Sequence, residues 1–220
     1  DLQPEKAFNY GINILHAIYL EKSEFQIMLD FYKTVFSNQI HPDYHQENHS
    51  IIYVDNFTGK SKSNSLQFEI GMEFFKSLGI KIAYNYLDVF QIKDGIKYQL
   101  PFNAKHHILA TTSYQPIGKN WQFDMNLHWF GKKNIIYNED NQINHSASNY
   151  SDPYSILNVQ LTKKIQKLDI YMGAENILNF RQDDPIINPH QPFSVGFDAA
   201  NGVWGPTKGI ELYIGLKLKL

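Results

Sequence analysis

Hydrophobic and polar residues alternate over long stretches of this chain, most regularly at its end. From Ile210 onward every even position is a large aliphatic residue, and the odd positions hold glycine, tyrosine, glutamate or lysine. Successive side chains of a strand point to opposite faces, so this period of two predicts a strand with one apolar and one polar side. One such strand is also typical of the edge of a soluble sandwich. Whether this strand belongs to a soluble sandwich or to a membrane sheet therefore depends on the pattern in the rest of the chain.

The same alternation recurs along the whole chain and predicts nine strands. Eight precede the terminal one, near 8–20, 25–36, 66–74, 80–86, 105–114, 121–129, 157–162 and 168–175. The assignment of side chains to the two faces is least clear between 105 and 114, where we place Ile108 and Ala110 on the apolar side. No stretch approaches the ~20 consecutive apolar residues that a membrane helix needs.

The connections between the predicted strands alternate in length. Short turns lie near 21–24, 76–79, 116–120 and 163–167, and long segments occupy 37–62, 91–102, 131–153 and 181–206. A soluble sandwich has no reason to sort its loops in this way. An outer-membrane barrel does, because its short turns face the periplasm and its long loops face outward.

Two tryptophans give the length of the apolar band. Trp121 and Trp129 lie at the two ends of one predicted strand, roughly 27 Å apart along it. A tilt of about 40° reduces this span to roughly 21 Å, close to the ~25 Å band that aromatic girdles flank. The sequence therefore predicts an all-β fold, an antiparallel transmembrane β-barrel segment whose polar positions, such as Glu69 and Asp124, face a wet interior.

Composition narrows the function classes. The net charge is −2, from 20 basic and 22 acidic residues that are well mixed, so no nucleic-acid footprint is visible. The chain has no cysteine, which excludes disulfides and thiolate metal sites. Single-chain bacterial barrels have an even number of strands, so nine strands indicate a chain that begins in mid-barrel.

Several stretches resemble the C-terminal barrel segment of TonB-dependent outer-membrane receptors, in the family's order. They are Leu2–Glu5 followed by Phe8–Gly11, Asp30–Ile40, Gly59–Ser61 with Ser65–Glu69, Gly173–Phe180, Phe197–Ala200, Val203–Pro206 and the terminal strand. The chain departs from the family in ending on Leu220, where many members end on an aromatic residue.

The resemblance implies a location in the outer membrane of a Gram-negative bacterium. It also implies that residues 1–220 are the C-terminal portion of a 22-stranded barrel, with the plug domain and the TonB box outside this chain. The expected function is uptake of a scarce nutrient, such as a siderophore, metal chelate, haem or cobalamin, with energy relayed by TonB. The expected partners are outer-membrane lipid, the remaining barrel and plug, TonB through the missing N-terminal part, and a small-molecule or metal-complex substrate.

Candidate site residues are few. Arg181, His190 and Trp204 lie in a predicted outer loop, where a substrate would first be met. His41, His45 and His49 repeat every four residues, a spacing that on a helix would group three imidazoles for zinc or copper. The alternative for these histidines is a solvated outer loop, since Pro42 opposes a helix.

Nothing in the sequence predicts an enzyme or a bound cofactor. No nucleophile elbow, phosphate-binding loop or zinc-hydrolase motif is present. The inward carboxylates are better explained as polar side chains that line a water-filled interior than as acid–base pairs. Two other functions stay open at this point. One is a passive porin-type channel without a plug, and the other is a soluble β-sandwich binding protein or lectin.

Overall fold

A computed structural model describes residues 2–43, 53–135, 150–186, 188–192, 194, 197 and 202–219. Within these ranges the chain forms strands that have the following bounds: β1 (Lys6–Leu20), β2 (Ser23–Ser37), β3 (Ile40–Asp43), β4 (Tyr53–Asn56), β5 (Lys60–Phe74), β6 (Leu78–Lys93), β7 (Ile96–Gln99), β8 (His106–Tyr114), β9 (Trp121–Phe130), β10 (Tyr154–Ile165), β11 (Leu168–Glu175) and β12 (Glu211–Leu218). The part of the chain described here contains no helix long and apolar enough to cross a membrane.

Nine of these strands follow one another in a single antiparallel sheet, in the order β1-β2-β5-β6-β8-β9-β10-β11-β12. β7 pairs with the end of β6, and β3 and β4 form a separate hairpin. β1 and β2 pair along their full length, from Lys6 opposite Ser37 to Leu20 opposite Ser23. The all-β class and the nine predicted strands are confirmed.

The strand bounds differ from the prediction where alternation is lost. β5 begins at Lys60 and not at Leu66, and β6 continues to Lys93 and not only to Tyr86. The added residues of β5 are polar on both faces, yet their backbones stay paired with β6. β3, β4 and β7 were not predicted, because four residues are too few for a period of two to stand out.

The connections are sorted by length as predicted. The short ones, at 21–22, 75–77, 115–120 and 166–167, all lie at one edge of the sheet, which we call the short-turn edge. The long ones, at 38–59, 94–105, 131–153 and 176–210, begin and end at the opposite edge, which we call the long-loop edge. Antiparallel pairing of consecutive strands places alternate connections at opposite edges, so the sorting of lengths comes from the sequence.

One face of the sheet is a continuous apolar surface. Directly opposite residues of an antiparallel pair share a face, and the register places Ile14, Leu29, Phe68, Tyr84 and Ile108 side by side across five strands. At the last strand Leu212 and Ile214 are 77% and 76% exposed. Among the described residues only four hydrophobic side chains are buried, namely Ala83, Phe90, Tyr154 and Ala174.

This distribution is the reverse of that in a soluble domain, where large apolar residues are hidden and exposed patches stay small. An apolar face of this extent is stable against lipid, as on the outside of a membrane barrel. The soluble β-sandwich considered from the sequence is therefore excluded.

The other face is polar and extensively hydrogen-bonded. Lys81 forms an ion pair with Glu69 at 2.7 Å, and Ser113 donates a hydrogen bond to Asp124 at 2.7 Å. A shallow groove of about 500 Å³ runs along this face near the short-turn edge, with Glu24, Gln26, Glu73, Lys81, Asp124 and Asn126 among the residues that line it. Groups of this kind are those expected along a water-filled or plugged interior.

Candidate functional site

A single row of polar-face residues crosses the sheet and leads to the long-loop edge. Successive cross-strand partners in this row, from β1 to β10, are Asn13, Asp30, Gln67, Asn85, His107, Phe130 and Tyr154. The row begins in the middle of β1 and ends at the first residue of β10, beside the long connections. Its composition changes along the way, from amides and a carboxylate to an imidazole and then to aromatic rings.

Stacked rings form the aromatic end of the row. Phe130 lies 5.0 Å from Tyr154 between ring centroids, and Tyr154 lies 4.7 Å from Phe180 with the two rings nearly parallel. Trp204 contacts both of the last two rings, at 5.9 Å from Tyr154 and 6.2 Å from Phe180. Ring pairs at these distances stabilise one another beyond their buried area. We call Phe130, Tyr154, Phe180 and Trp204 the aromatic cluster.

A lysine ties the aromatic cluster to the long connections. The Lys133 Nζ donates hydrogen bonds to the Tyr154 Oη at 3.0 Å and to the Trp204 carbonyl oxygen at 2.6 Å. The same ammonium lies 5.5 Å from the Phe130 ring centroid and 5.1 Å from the Tyr154 centroid, within the range of cation–π attraction. Lys133 therefore brings a positive charge to the polar face at this edge.

Gln182 holds Trp204 in place. The Gln182 Oε1 accepts hydrogen bonds from the backbone N–H groups of Trp204 at 2.8 Å and Gly205 at 2.9 Å. Its Nε2 donates to the Gly202 carbonyl oxygen at 2.5 Å, and the side chain is only 6% exposed. This buried amide uses both its donor and its acceptor, and its hydrogen bonds hold two segments of the last long connection together.

Two histidines meet next to the aromatic cluster. The His107 Nε2 lies 3.2 Å from the His128 Nδ1, and the two rings are tilted by only 9° relative to each other. Phe130 stacks on His107 at 4.5 Å between centroids and on His128 at 6.0 Å. Both histidines belong to the polar face, since His107 is opposite Phe130 and His128 is opposite Leu109.

The three predicted substrate contacts differ in their surroundings. Trp204 lies within the aromatic cluster. Arg181 is exposed, directly before the buried Gln182, and His190 is exposed farther along the same connection. Whether any of the three contacts a substrate stays a prediction.

The predicted metal-binding histidines are only partly covered by the structure. His41 lies in β3, a strand and not a helix, and its ring meets Phe57 edge-on at 5.3 Å between centroids. Its Nδ1 is buried, and no hydrogen-bond partner for it is found among the described residues. His45 and His49 lie outside the described residues, so the predicted grouping of the three stays a prediction.

Sequence reasoning missed the histidine pair and most of the aromatic cluster. His107 lies in the strand predicted near 105–114 and His128 in the strand predicted near 121–129, but no contact between them was predicted. Their proximity depends on the register between β8 and β9, which the alternation alone does not fix. An aromatic residue at a polar-face position, as at Phe130 and Tyr154, was the available indication.

The family comparison agrees with this architecture. A family model described as "TonB dependent receptor-like, beta-barrel" matches residues 1–177. The chain therefore belongs to the TonB-dependent receptor family, and its sheet is part of the β-barrel of such a receptor. No curated protein matches the sequence.

Solved structures show the same fold at low sequence identity. The ferric-catecholate import receptor Fiu from K12 E. coli matches with a TM-score of 0.65 and 10% identity, over 99% of this chain and 28% of that one. The copper transporter OprC matches with a TM-score of 0.69 and 13% identity, over 99% and 32%. A mutant of the ferric enterobactin receptor PfeA from Pseudomonas aeruginosa matches with a TM-score of 0.65 and 16% identity, over 97% and 31%. The chain thus spans about a third of the length of these receptors.

Proposed function

We propose that this chain is part of an outer-membrane receptor that takes up a scarce nutrient with energy relayed by TonB. The substrate would be a siderophore, metal chelate, haem, cobalamin or a similar compound too large or too rare for passive diffusion. Membership of the family supports the transport role, and the structurally similar proteins are described as a ferric-catecholate import receptor, a copper transporter and a ferric enterobactin receptor.

The observation that carries the proposal is the aromatic end of the cross-sheet row. Ligand sites are lined mainly by apolar and aromatic groups with a few placed polar groups. Phe130 and Trp204, packed against the buried Tyr154 and close to the Lys133 ammonium, provide such a surface on the polar face beside the long connections. In the proposed receptor, this is where a substrate coming from outside reaches the barrel wall.

The chain supplies the C-terminal part of the barrel in this proposal. The remaining strands, the plug and the TonB box belong to the rest of the receptor, and the apolar face contacts outer-membrane lipid. The expected location is accordingly the outer membrane of a Gram-negative bacterium.

Uptake measurements on the full receptor test the proposal. A strain that expresses it should accumulate one of a panel of radiolabelled ferric siderophores, haem, cobalamin or copper chelates. Accumulation should vanish when the receptor gene is deleted, and also when TonB is deleted while the receptor remains. The matched variants are Trp204→Ala, which removes a ring of the aromatic cluster, and Trp121→Phe, on the opposite face.

A passive channel is the competing function, and the same experiment separates the two. A porin-type channel conducts small solutes down their gradient whether or not TonB is present. Flux that persists without TonB and is indifferent to Trp204→Ala would contradict the receptor proposal.

A further inference from the structure

The lipid-facing side of the sheet becomes basic toward the long-loop edge. The row of cross-strand partners nearest that edge without a carboxylate or an ammonium group runs through Ile12, Phe31, Leu66, Tyr86 and His106. The three rows beyond it, on β1, β2, β5, β6 and β7, contain five lysines and, among the described residues, a single carboxylate. The lysines are Lys6, Lys33, Lys60, Lys62 and Lys97. We call these five residues the outer lysine patch.

Three of these lysines lie close together at the centre of the patch. Lys60 and Lys62 are two residues apart on β5, and Lys33 lies on the neighbouring strand β2, opposite Asn64. With a rise of about 3.4 Å per residue and about 4.8 Å between strands, their Cα atoms fall within about 15 Å of one another. A lysine stem packs along apolar neighbours while its ammonium group reaches outward, so three charges can meet one ligand.

The single carboxylate of these rows, Asp88, offsets only part of the charge. It lies 2.8 Å from the Lys97 Nζ and 3.3 Å from the Nζ of Lys105, the residue before β8. One negative charge is thus shared between two ammonium groups. For the three central lysines no ion pair is found within the described part of the chain. Like charges on neighbouring strands are destabilising, so a negative charge from outside the chain would stabilise this surface.

Asp88 also orders the edge of the patch. Its carboxylate is buried, with the residue only 6% exposed, and it accepts a hydrogen bond from the Gln99 Nε2 at 2.9 Å. The Lys97 Nζ lies 3.8 Å from the Phe90 ring centroid, within the range of cation–π attraction. β7 is therefore held against β6 by side chains as well as by its backbone. A charged group that is held in position loses less conformational entropy when it binds a ligand.

We propose that the outer lysine patch binds the phosphate groups of membrane-lipid headgroups, with Lys33, Lys60 and Lys62 as the main contacts. Basic residues near a membrane surface are attracted to anionic lipids. In the outer membrane assigned under the proposed function, on which this inference rests, the long-loop edge faces outward. The lipid is then a phosphorylated glycolipid of the outer leaflet.

Membrane lipid is the occupant that the surroundings of the patch favour. The patch continues the apolar surface to which Ile14, Leu29 and Phe68 belong. Tyr86 and His106 lie between that surface and the lysines, and their rings are 5.3 Å apart between centroids. Aromatic side chains are typical of the level at which acyl chains give way to headgroups. A lipid whose chains lie along the apolar rows would therefore place its phosphates at the lysines.

The test uses the full receptor in detergent and native mass spectrometry to measure bound lipid. The probes are lipid A with its two phosphates, the same lipid after removal of both phosphates, and inorganic phosphate as a competitor at constant ionic strength. The variant replaces Lys33, Lys60 and Lys62 together by glutamine. The matched control replaces Lys22, Lys76 and Lys119 of the short turns, three exposed lysines at the opposite edge, and changes the net charge equally. Heat-modifiable migration on gels checks the fold.

We expect the wild type to bind lipid A and to bind the dephosphorylated lipid at least about tenfold more weakly. Each basic residue near an anionic surface strengthens attraction by about fivefold, so the patch variant should also lose at least about tenfold in affinity for lipid A. The control variant should bind like the wild type. Raising the salt concentration should weaken binding to the wild type more than binding to the patch variant, because salt screens exposed charges.

Three results would overturn the proposal. One is equal binding of the two lipids by the wild type, which decides the question even if the patch variant fails to fold. Another is equal affinity of the patch variant and the control variant for lipid A. The last is displacement of lipid A by millimolar inorganic phosphate, which would show a site for free phosphate and not for lipid.

Uptake separates this inference from the function on which it rests. TonB-dependent import by a receptor that binds both lipids equally would refute the lipid site and leave the import function standing. Phosphate-dependent binding of lipid A at the patch without TonB-dependent uptake would support the lipid site and refute the import function.

Discussion

The ring of Tyr213 on β12 lies directly over Gly173 on β11. A side-chain carbon added at Gly173 would collide with the Tyr213 ring and with the Val159 carbonyl oxygen. The Tyr213 Oη donates a hydrogen bond to the Gln160 Oε1 at 3.0 Å, so the ring connects three strands on the polar face. The arrangement is reciprocal, because Tyr171 lies over Gly215 in the same way.

The first prediction is that Gly173→Ala destabilises the barrel by about 1–3 kcal/mol, as overpacking of a filled site does. Gly71→Ala is the control, since an added carbon there would meet nothing closer than 3.8 Å. Urea unfolding of the full receptor in lipid measures both. Equal effects of the two variants would show that the contact with Tyr213 does not limit the site.

The second prediction concerns the two faces. Phe68→Arg should cost about 2–4 kcal/mol if the residue lies near the bilayer midplane, because the charge would face lipid. Gln67→Arg, one residue away on the polar face beside Asp30, should be mild. Refolding of the full receptor into lipid vesicles at several urea concentrations measures the difference. Similar losses for both variants would contradict the assigned facing.

The third prediction concerns the hydrogen bonds of the buried Gln182 side chain. Gln182→Leu leaves the N–H groups of Trp204 and Gly205 without their acceptor, which costs about 1–3 kcal/mol if they stay buried. We expect the last long connection to become sensitive to protease and substrate uptake to fall. Asp183→Leu, at the exposed neighbouring position, is the control and should leave the protease resistance unchanged. If the Gln182→Leu variant resisted protease as well as the wild type, Gln182 would not be what holds the two segments together.

The fourth prediction concerns the first contact of a metal from outside. If the receptor handles copper or zinc, replacing His41, His45 and His49 together by alanine should weaken binding measured by calorimetry. The buried His41 Nδ1, for which the described residues offer no partner, is consistent with a ligand. Unchanged affinity in the triple variant would show that these histidines do not bind the metal, as expected for a solvated outer loop.

The sequence was sufficient for the sheet because lipid imposes a simple rule on it. Each membrane-facing position had to be apolar, so strands such as Trp121–Phe130 could be located within a residue or two and their faces assigned. The rule does not apply beyond the apolar band, and there the prediction ended β6 at Tyr86, seven residues early.

The site could not be predicted in the same way. The His107–His128 contact depends on a diagonal relation across two strands, and Trp204 reaches Tyr154 through a long connection without periodicity. Nor does any pattern distinguish the buried Gln182 from its exposed neighbours Arg181 and Asp183. These positions follow from particular hydrogen bonds, for which the alternation carries no information.

The consecutive order of the strands also sets the course of folding. Every neighbouring pair in the main sheet is joined by one connection along the chain, so the sheet can grow by adding one hairpin at a time. The free-energy cost of closing a loop, which comes from the lost chain entropy, rises with loop length by about 0.6 kcal/mol for each doubling. The pairing of β11 with β12 must close the longest connection, residues 176–210, whereas β10 and β11 are joined by residues 166–167 alone. Docking of the last strand is therefore the step that chain entropy opposes most, and Gln182 and Trp204 lie within the segment that it has to order.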